Sequence, residues 1–462
     1  MNSRTTSNRP ANAKSAQRRL AQRAAARRAR APKRAPAGQR RSFSQSNLEL
    51  RHDGPLGPLL VEALTVPEES GYQLTHGFHP YPGRFHPLLP RTLLRALARP
   101  ESMVLDPFMG GGTTLVEAML HGAPSIGNDL NPIAVLVARE RTRPRTAVQA
   151  AKVVAEARRI ASLVETLRRD KRAPRHHMPQ YGRVAPHYMP HLLAELMQWV
   201  RLIEALPGDP EGAAATRETL RAVFSSAAVK YSNQPSDSQT EGASSPSVPK
   251  GAVSRFLVAK CQELTRAQIT LAERLPRPIP PVRLLQEDAR LLPSLGWAEA
   301  DWIVTSPPYP GTYDYHAQHA LRMAWLGIDG STLEAGEMAP RREQELRQPA
   351  PAPPVRGKGR KPAPAEKPAP PRPDSWSATM RDALVAMARV LRPGGGLLIV
   401  LGDWLDDGHA VDASAMLTRA AEDKGWNLHS RAAARREAFS HKERRAYAKR
   451  GKWEHLLYFS RS

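Results

Sequence analysis

Two short stretches, far apart in a chain of 462 residues, have the composition of ligand loops at strand ends. Thr305-Ser306-Pro307-Pro308-Tyr309 follows Asp301-Trp302-Ile303-Val304, an apolar run that reads as the end of a buried strand. Its prolines fix the backbone and remove N–H donors. What remains is a hydroxyl, carbonyls aimed in fixed directions and an aromatic ring. Upstream, Val104-Leu105-Asp106-Pro107-Phe108-Met109-Gly110-Gly111-Gly112-Thr113-Thr114 repeats the layout of strand end, small-residue turn and helix. Gly110 and Gly112 permit a sharp turn and close approach of a ligand, and the helix that follows offers free N–H groups at its start. Two such loops after parallel strands lie at one edge of an open sheet, where doubly wound α/β proteins bind ligands.

The stretch Asp106 to Thr114 resembles the D-P-F-x-G-x-G-T-T loop of S-adenosylmethionine-dependent amino methyltransferases. Thr305 to Tyr309 resembles the [DNS]-P-P-[YF] catalytic loop of the same superfamily in its Ser form, familiar from DNA cytosine-N4 enzymes and shared by some adenine-N6 enzymes. His79-Pro80-Tyr81-Pro82-Gly83-Arg84-Phe85 is similar to an element that precedes the cofactor loop in some DNA-modification methylases. The resemblance covers residues 75–145 and 284–460. It implies a Rossmann-like class I methyltransferase sheet, S-adenosylmethionine as cofactor, and Asp106 and Phe108 at the methionine end, with Gly110, Gly112 and Thr113 completing the cofactor loop.

Two further acidic residues end strands. Asp129 can accept both ribose hydroxyls, or it caps the helix that Asn131-Pro132 begins. Asp288 can accept from the adenine amino group, or it is a turn aspartate. In the catalytic loop, Ser306 Oγ and the Pro307 carbonyl are read as acceptors for the two N–H groups of an exocyclic amine. The amine lone pair, delocalised into the ring, would then turn toward the methyl donor, so catalysis is mostly positioning and preorganised dipoles. Pro308 stiffens the loop and Tyr309 stacks on a flipped base, its ring mattering more than its hydroxyl. The alternative is a plain Pro-Pro turn, which the upstream cofactor loop argues against.

Lys+Arg 68 against Asp+Glu 44 gives a net charge of +24, which argues for a polyanionic partner. The single cysteine, Cys261, excludes an internal disulfide and suits a reducing compartment. It shares helical spacing with Leu257, Leu264, Leu271 and Leu275, so it reads as a core thiol. Ring-carbon methylation of cytosine needs a cysteine nucleophile, and none lies near Pro307. No apolar run has the roughly 20 residues that span a bilayer, and no signal-peptide core is present. His76, His79 and His86 match no zinc spacing, and His176, His177, His187 and His191 read as surface, so no metal is expected.

Residues 1–46 are Arg, Ala, Ser and Pro, with nothing acidic before Glu49. They read as a disordered basic arm that tethers DNA, with a transit peptide as the alternative. The catalytic domain is expected over 47–130 and 281–462. Its elements are an amphipathic helix at 85–98, a strand at 103–105, a helix from Thr113 to His121 and a strand at Ser125–Gly127. After an interruption come Val282–Leu285, Asp301–Val304, a helix from Trp376 and a strand at Gly396–Leu401. Trp426–Ala434 and Glu454–Phe459 close it as an antiparallel pair. Residues 348–373 read as a flexible Pro/Lys-rich loop. Residues 131–280 form a mostly helical insertion between the second and third strands, with helices around 153–167, 192–203 and 251–275, and are a possible target-recognition region. The basic stretch Arg431 to Lys452, interleaved with Phe439, Tyr447 and Trp453, is either a phosphate-contacting surface or a plain hairpin.

The expectation is an α/β protein that methylates an exocyclic amino group of DNA, N4 of cytosine ahead of N6 of adenine, in the cytoplasm at the nucleoid, as in restriction–modification. Two alternatives stay open: an RNA guanine or adenine amino methyltransferase, and a non-catalytic DNA-binding protein on a methylase fold. Recognition sequence, any paired nuclease and oligomeric state are not encoded in these features.

Overall fold

The computed structural model describes residues 49–65, 71, 73–83, 86–170, 181–206, 213–233, 248–310, 313–338, 375–438 and 440–461. The basic arm 1–46, the loop 348–373, Arg84, Phe85, His176, His177 and Phe439 lie outside these residues.

The strands are β1 (Leu50–Asp53), β2 (Val104–Asp106), β3 (Ser125–Asn128), β4 (Val282–Leu285), β5 (Ala300–Thr305), β6 (Leu391–Gly402), β7 (Trp404–Asp406), β8 (His409–Val411), β9 (Trp426–Arg436) and β10 (Lys452–Arg461). Eight form one sheet in the order β1-β9-β10-β6-β5-β2-β3-β4, and β7 and β8 pair separately. Strands β4, β3, β2, β5 and β6 run parallel. β10 lies antiparallel between β6 and β9, and β1 adds an antiparallel edge to β9. This is an open, mostly parallel, Rossmann-like α/β sheet. From β2 the chain builds outward through β3 and β4, then returns to the other side of β2 with β5. The reversal makes the carboxyl ends of β2 and β5 the crevice of the sheet.

The helices are α1 (Gly57–Leu64), α2 (Leu88–Leu97), α3 (Thr113–His121), α4 (Pro132–Arg141), α5 (Ala147–Arg169), α6 (Pro190–Glu204), α7 (Ala213–Lys230), α8 (Ala252–Arg274), α9 (Tyr315–Leu326), α10 (Ser331–Gly336), α11 (Ser375–Val390), α12 (Ala413–Glu422) and α13 (His441–Ala446). Alternation along the strands builds two apolar layers. Val104, Val304, Leu398 and Val400 pack with Leu60, Leu89 and Leu93 of α1 and α2. Leu105, Ile303, Leu397, Ile399 and Leu401 pack with Met380, Leu384 and Leu417 of α11 and α12.

The insertion between β3 and β4 is helical, α4 through α8, and α9 joins its core. Trp325 of α9 packs against Tyr181, Tyr188 and Phe224 at ring-centroid distances of 4.8, 5.6 and 5.7 Å, and its indole N–H donates to Tyr188 Oη at 2.9 Å. Truncating such a buried Trp costs about 3–5 kcal/mol. Helix α7 has no counterpart among the helices read from the sequence. Ala222 to Ala228 are all buried, so this part of α7 carries no polar stripe, and a stretch buried all round shows no period. Cys261 sits in this core as expected, and burial pushes its thiol up to about 12.

Candidate active site

The carboxyl ends of β2, β3, β4 and β5 converge on one cleft. Phe108, Gly110, Thr113, Asp129, Asp288, Ser306 and Pro308 line it, so both sequence motifs reach one cavity. Asp106, Gly112, Pro307 and Tyr309 are absent from its wall, and each has a structural position instead.

Asp106 ends β2 and is buried. Its Oδ2 accepts from Thr114 Oγ1 at 2.6 Å, and its Oδ1 accepts from Thr305 Oγ1 at 2.6 Å and Phe108 N at 3.2 Å. One carboxylate thus bridges the helix after the cofactor loop and the last residue before the catalytic loop. Burial raises its pKa to about 6, against the lowering effect of the three donors. Asp106 does not line the cavity; its oxygens point back into the protein, to two buried threonines.

Gly110 and Gly112 have φ of +50° and +79°, a left-handed conformation that disfavours side chains. Gly112 stands directly before α3, and a Cβ there would come within 3.0 Å of Ala138. It shapes the turn from behind. Gly110 faces the cavity, and a Cβ there would stand 3.1 Å from the Tyr81 ring.

Asp129 follows β3. Its Oδ2 accepts from Gly110 N at 2.9 Å and its Oδ1 from Asn131 N at 2.9 Å. The helix cap is Asn131, whose Oδ1 accepts from Ile133 N at 2.9 Å. Asp129 is thus tied to the loop backbone and still lines the cavity, where each carboxylate oxygen has lone-pair capacity left. Burial raises its pKa to about 6, with Asp106 adding repulsion. Asp288 also lines the cavity, and it accepts from Arg290 Nε at 2.9 and 2.8 Å and from Arg290 N at 2.9 Å. Burial would raise the Asp288 carboxyl, but the hydrogen bonds and charge of Arg290 hold it below the usual range. Asn128 links the strand ends beneath: its Nδ2 donates to Pro107 O and Glu287 O, and its Oδ1 accepts from Glu287 N.

In the catalytic loop, Ser306 Oγ and Tyr309 Oη are 3.0 Å apart, and Tyr309 Oη donates to Val400 O at 3.5 Å. The Tyr309 ring is half-buried beside Gly402. Burial pushes its pKa far up, so the phenol keeps its proton. The structure therefore gives the hydroxyl a task that sequence reasoning did not: it holds Ser306. Pro307 is buried, and the Pro308 carbonyl accepts from Trp376 Nε1 of α11 at 2.9 Å.

Sequence reasoning missed the aromatic wall opposite the cofactor loop. Tyr81 lines the cavity, stacks on His319 at 5.1 Å and Tyr315 at 6.4 Å, and its Oη accepts from Asn131 Nδ2 at 3.2 Å. Tyr315, Leu333, Glu337 and Met338 close the cavity from the segment after the catalytic loop. The backbone of Tyr315 is held by the Glu337 carboxylate. Tyr81 lay inside a motif already singled out, whereas nothing local marks Tyr315 or Glu337. His79 supports this wall from behind, with Nε2 2.9 Å from Ser225 Oγ of α7, while Arg141 donates to Gly111 O and His79 O at 3.0 Å each. Burial holds the His79 and His319 pKa values well down, so both are neutral.

His76 pairs with Glu117 at 2.8 Å, and Glu117 also takes Arg91 at 2.7 Å. Among the described residues Asp403, Asp412 and His455 have metal-like proximity. The Asp403 carboxylate, however, already accepts from Ala413 N, His455 Nε2, Arg450 Nη2 and Trp453 N. No described helix is long and apolar enough to cross a membrane.

Known proteins are similar to part of this chain. The chain is 42% identical over 71 residues to the Type II methyltransferase M.MjaII of Methanocaldococcus jannaschii, covering 15% of this chain and 13% of that protein. It is 39% identical over 75 residues to the Type II methyltransferase M.MvaI of Kocuria varians, covering 16% of each. The chain therefore spans only a small part of either relative's length. Among solved structures, the rRNA methyltransferase aviRa from Streptomyces viridochromogenes aligns over 86% of this chain and 94% of its own. Its identity is 12% and its TM-score 0.31, too low to bear on function. Residues 44–140, which hold the Tyr81 segment, the cofactor loop and Asp129, match the N6/N4 DNA methylase family model.

Proposed function

We propose that this chain methylates an exocyclic amino group of a base in DNA with S-adenosylmethionine as donor, at N4 of cytosine ahead of N6 of adenine. The observation that carries the proposal is the Asp106 bridge. One carboxylate holds Thr114 and Thr305, and so Ser306 and Pro308 stand in the same cavity as Phe108, Gly110, Asp129 and Asp288.

The donor set fits that cofactor. Asp129, Asp288 and Glu337 line the cavity, and among the described residues no lysine or arginine does. A dinucleotide pyrophosphate would meet these carboxylates as like charges, whereas a sulfonium, an ammonium, ribose hydroxyls and an adenine amino group are cations or donors. Asp129 would hold the ribose and Asp288 the adenine amino group, with Phe108, Gly110 and Thr113 around them. The bound cofactor supplies an electrophilic methyl group. Asp106 and Gly112 are positioning residues behind the wall.

Ser306 Oγ and the Pro307 carbonyl would accept the two amine hydrogens and turn the nitrogen lone pair toward the methyl. The Tyr309 phenol, kept neutral by burial, fixes the Ser306 hydroxyl, and its ring edges the place where a flipped base would sit. The Ser form of the loop resembles that of cytosine-N4 enzymes. A cytoplasmic setting at the nucleoid and a restriction–modification role follow from this reading.

The test is mass spectrometry of nucleosides after incubation of DNA or RNA with the protein and cofactor. N4-methylcytosine in DNA supports the full reading. N6-methyladenine keeps the chemistry and changes the base. Modified RNA with untouched DNA moves the substrate. Absence of any product, together with absence of cofactor binding by calorimetry, overturns the proposal.

A further inference from the structure

We propose that the connection between β9 and β10, in its described residues 440–451, is the platform on which DNA phosphates rest beside the catalytic loop. This inference rests on the methyltransferase reading above and adds a surface to it.

Topology places the connection at the site. Thr305 of β5 pairs with Ile399 of the parallel β6, so β5 and β6 end at the same edge. β10 is antiparallel to β6, with Glu454 opposite Gly402, and therefore begins at that edge, where β9 ends. A Cβ on Gly402 would stand 3.5 Å from the Tyr309 ring and 3.9 Å from Trp453 O. The connection is also fastened to the catalytic loop. Tyr447 Oη donates to Trp404 O at 2.6 Å, the Trp404 and Trp376 rings lie 5.0 Å apart, and Trp376 Nε1 donates to Pro308 O at 2.9 Å.

Apart from Arg444, the cations of this stretch divide into two sets. Arg431, Arg435, Arg436, Arg450 and Lys452 pair with Asp53, Glu49, Glu454, Asp403 and Glu443, which builds the hairpin. Tyr447 and Trp453 are buried, so they anchor the hairpin and are not stacking surfaces. Lys442, Arg445 and Lys449 are exposed and make no ion pair among the described residues. Lys442 and Arg445 share one face of α13 at i, i+3, and Lys449 follows in the next turn. A capping box between Ser440 and Glu443 fixes the start of α13. Asp406 and Asp407 on the neighbouring β7–β8 turn are exposed and would repel phosphate, so the phosphate track runs over the outer face of α13. Two cations on a fastened helix and a third in the turn after it, next to the base site of a chain with net charge +24, suit a polyanionic backbone.

The experiment is binding of a fluorescent DNA duplex to the full chain and to the triple variant Lys442→Ala/Arg445→Ala/Lys449→Ala across a salt series. Each lost phosphate contact should lower the slope of log affinity against log salt by about 0.9, so the triple variant should lose about 2–3 units of slope. Cofactor affinity by calorimetry and turnover at saturating DNA should stay at wild-type values. If the triple variant melts early, the three single variants carry the test, each expected to lose about one unit of slope. An unchanged slope in a protein whose wild type binds and methylates DNA overturns the platform alone. A slope change seen with RNA and not with DNA overturns the assignment to DNA. A wild type that neither binds nor methylates DNA overturns the methyltransferase reading beneath it.

Discussion

Thr305→Val isolates the link between the two motifs. Thr305 is fully buried, and its Oγ1 donates to Asp106 Oδ1 at 2.6 Å. Valine keeps the shape and removes the donor. A hydrogen bond to a charged group contributes about 1.5–3 kcal/mol, so the variant should lose that much stability and still fold, since domains hold about 5–15 kcal/mol. The loss depends on pH with a definite sign. The Asp106 pKa is raised from 3.8 to about 6 on folding, so the folded state binds the extra proton between those values and ionisation of Asp106 costs stability as pH rises through them. Removing a donor raises the folded pKa further, so the destabilisation of Thr305→Val should be full above that raised value and shrink as pH falls through about 6.

The catalytic consequence is separate. Ser306 follows Thr305 directly, and a misplacement of about 1 Å can cost roughly 10²-fold in rate. Thr305 does not line the cavity, so cofactor affinity should stay within about twofold while the single-turnover rate drops roughly ten- to hundredfold. Denaturation at two pH values, calorimetry with the cofactor and single-turnover methylation read out the three quantities. A stability loss with an unchanged rate would refute the idea that Asp106 positions the catalytic loop. A fall in cofactor affinity as large as the fall in rate would place its effect in the cavity instead.

Three further outcomes are expected. Cofactor affinity should decline as pH drops through about 6, because Asp129 is raised to that value and only its ionised form accepts two hydroxyls well; Asp129→Asn should bind at least tenfold more weakly and flatten the calorimetric pH profile. Tyr309→Phe should slow methylation by up to about tenfold, since it removes a neutral hydrogen bond of about 0.5–1.5 kcal/mol to Ser306. Tyr309→Ala should be slower still, and a wild-type rate for Tyr309→Phe would return the residue to a purely stacking role. Gly110→Val should weaken cofactor binding about tenfold or more, because a β-branched residue would be forced to φ +50° with its Cβ 3.1 Å from Tyr81; unchanged affinity by calorimetry would remove Gly110 from the cofactor site.

Sequence alone determined what short-range chemistry determines. The glycines at 110 and 112 demanded a turn with positive φ, the apolar runs before Asp106 and Ser306 demanded buried strands, and the sheet brings both loops to one edge. Thr113 to His121, the closing β9–β10 pair and the helical interruption between β3 and β4 were legible for the same reason: their periods are local. Helix α7 was not, because its stretch Ala222–Ala228, packed among α6, α8 and α9, is buried all round and has no polar face to reveal its turn. Tertiary structure alone decided the direction of each functional side chain. Asp106 turned inward because Thr114 and Thr305, one near and one almost two hundred residues away, required an acceptor. Tyr309 gained a hydroxyl partner, and Tyr81, Tyr315 and Glu337 became a wall through contacts between distant segments. The basic stretch at 431–452 divided into paired and unpaired cations only when the acids that neutralise it, Glu49 and Asp53 among them, arrived from the other end of the chain. Residue type constrains the backbone within a few positions, but a carboxylate or a cation takes its role from whichever partner the fold brings within hydrogen-bond reach.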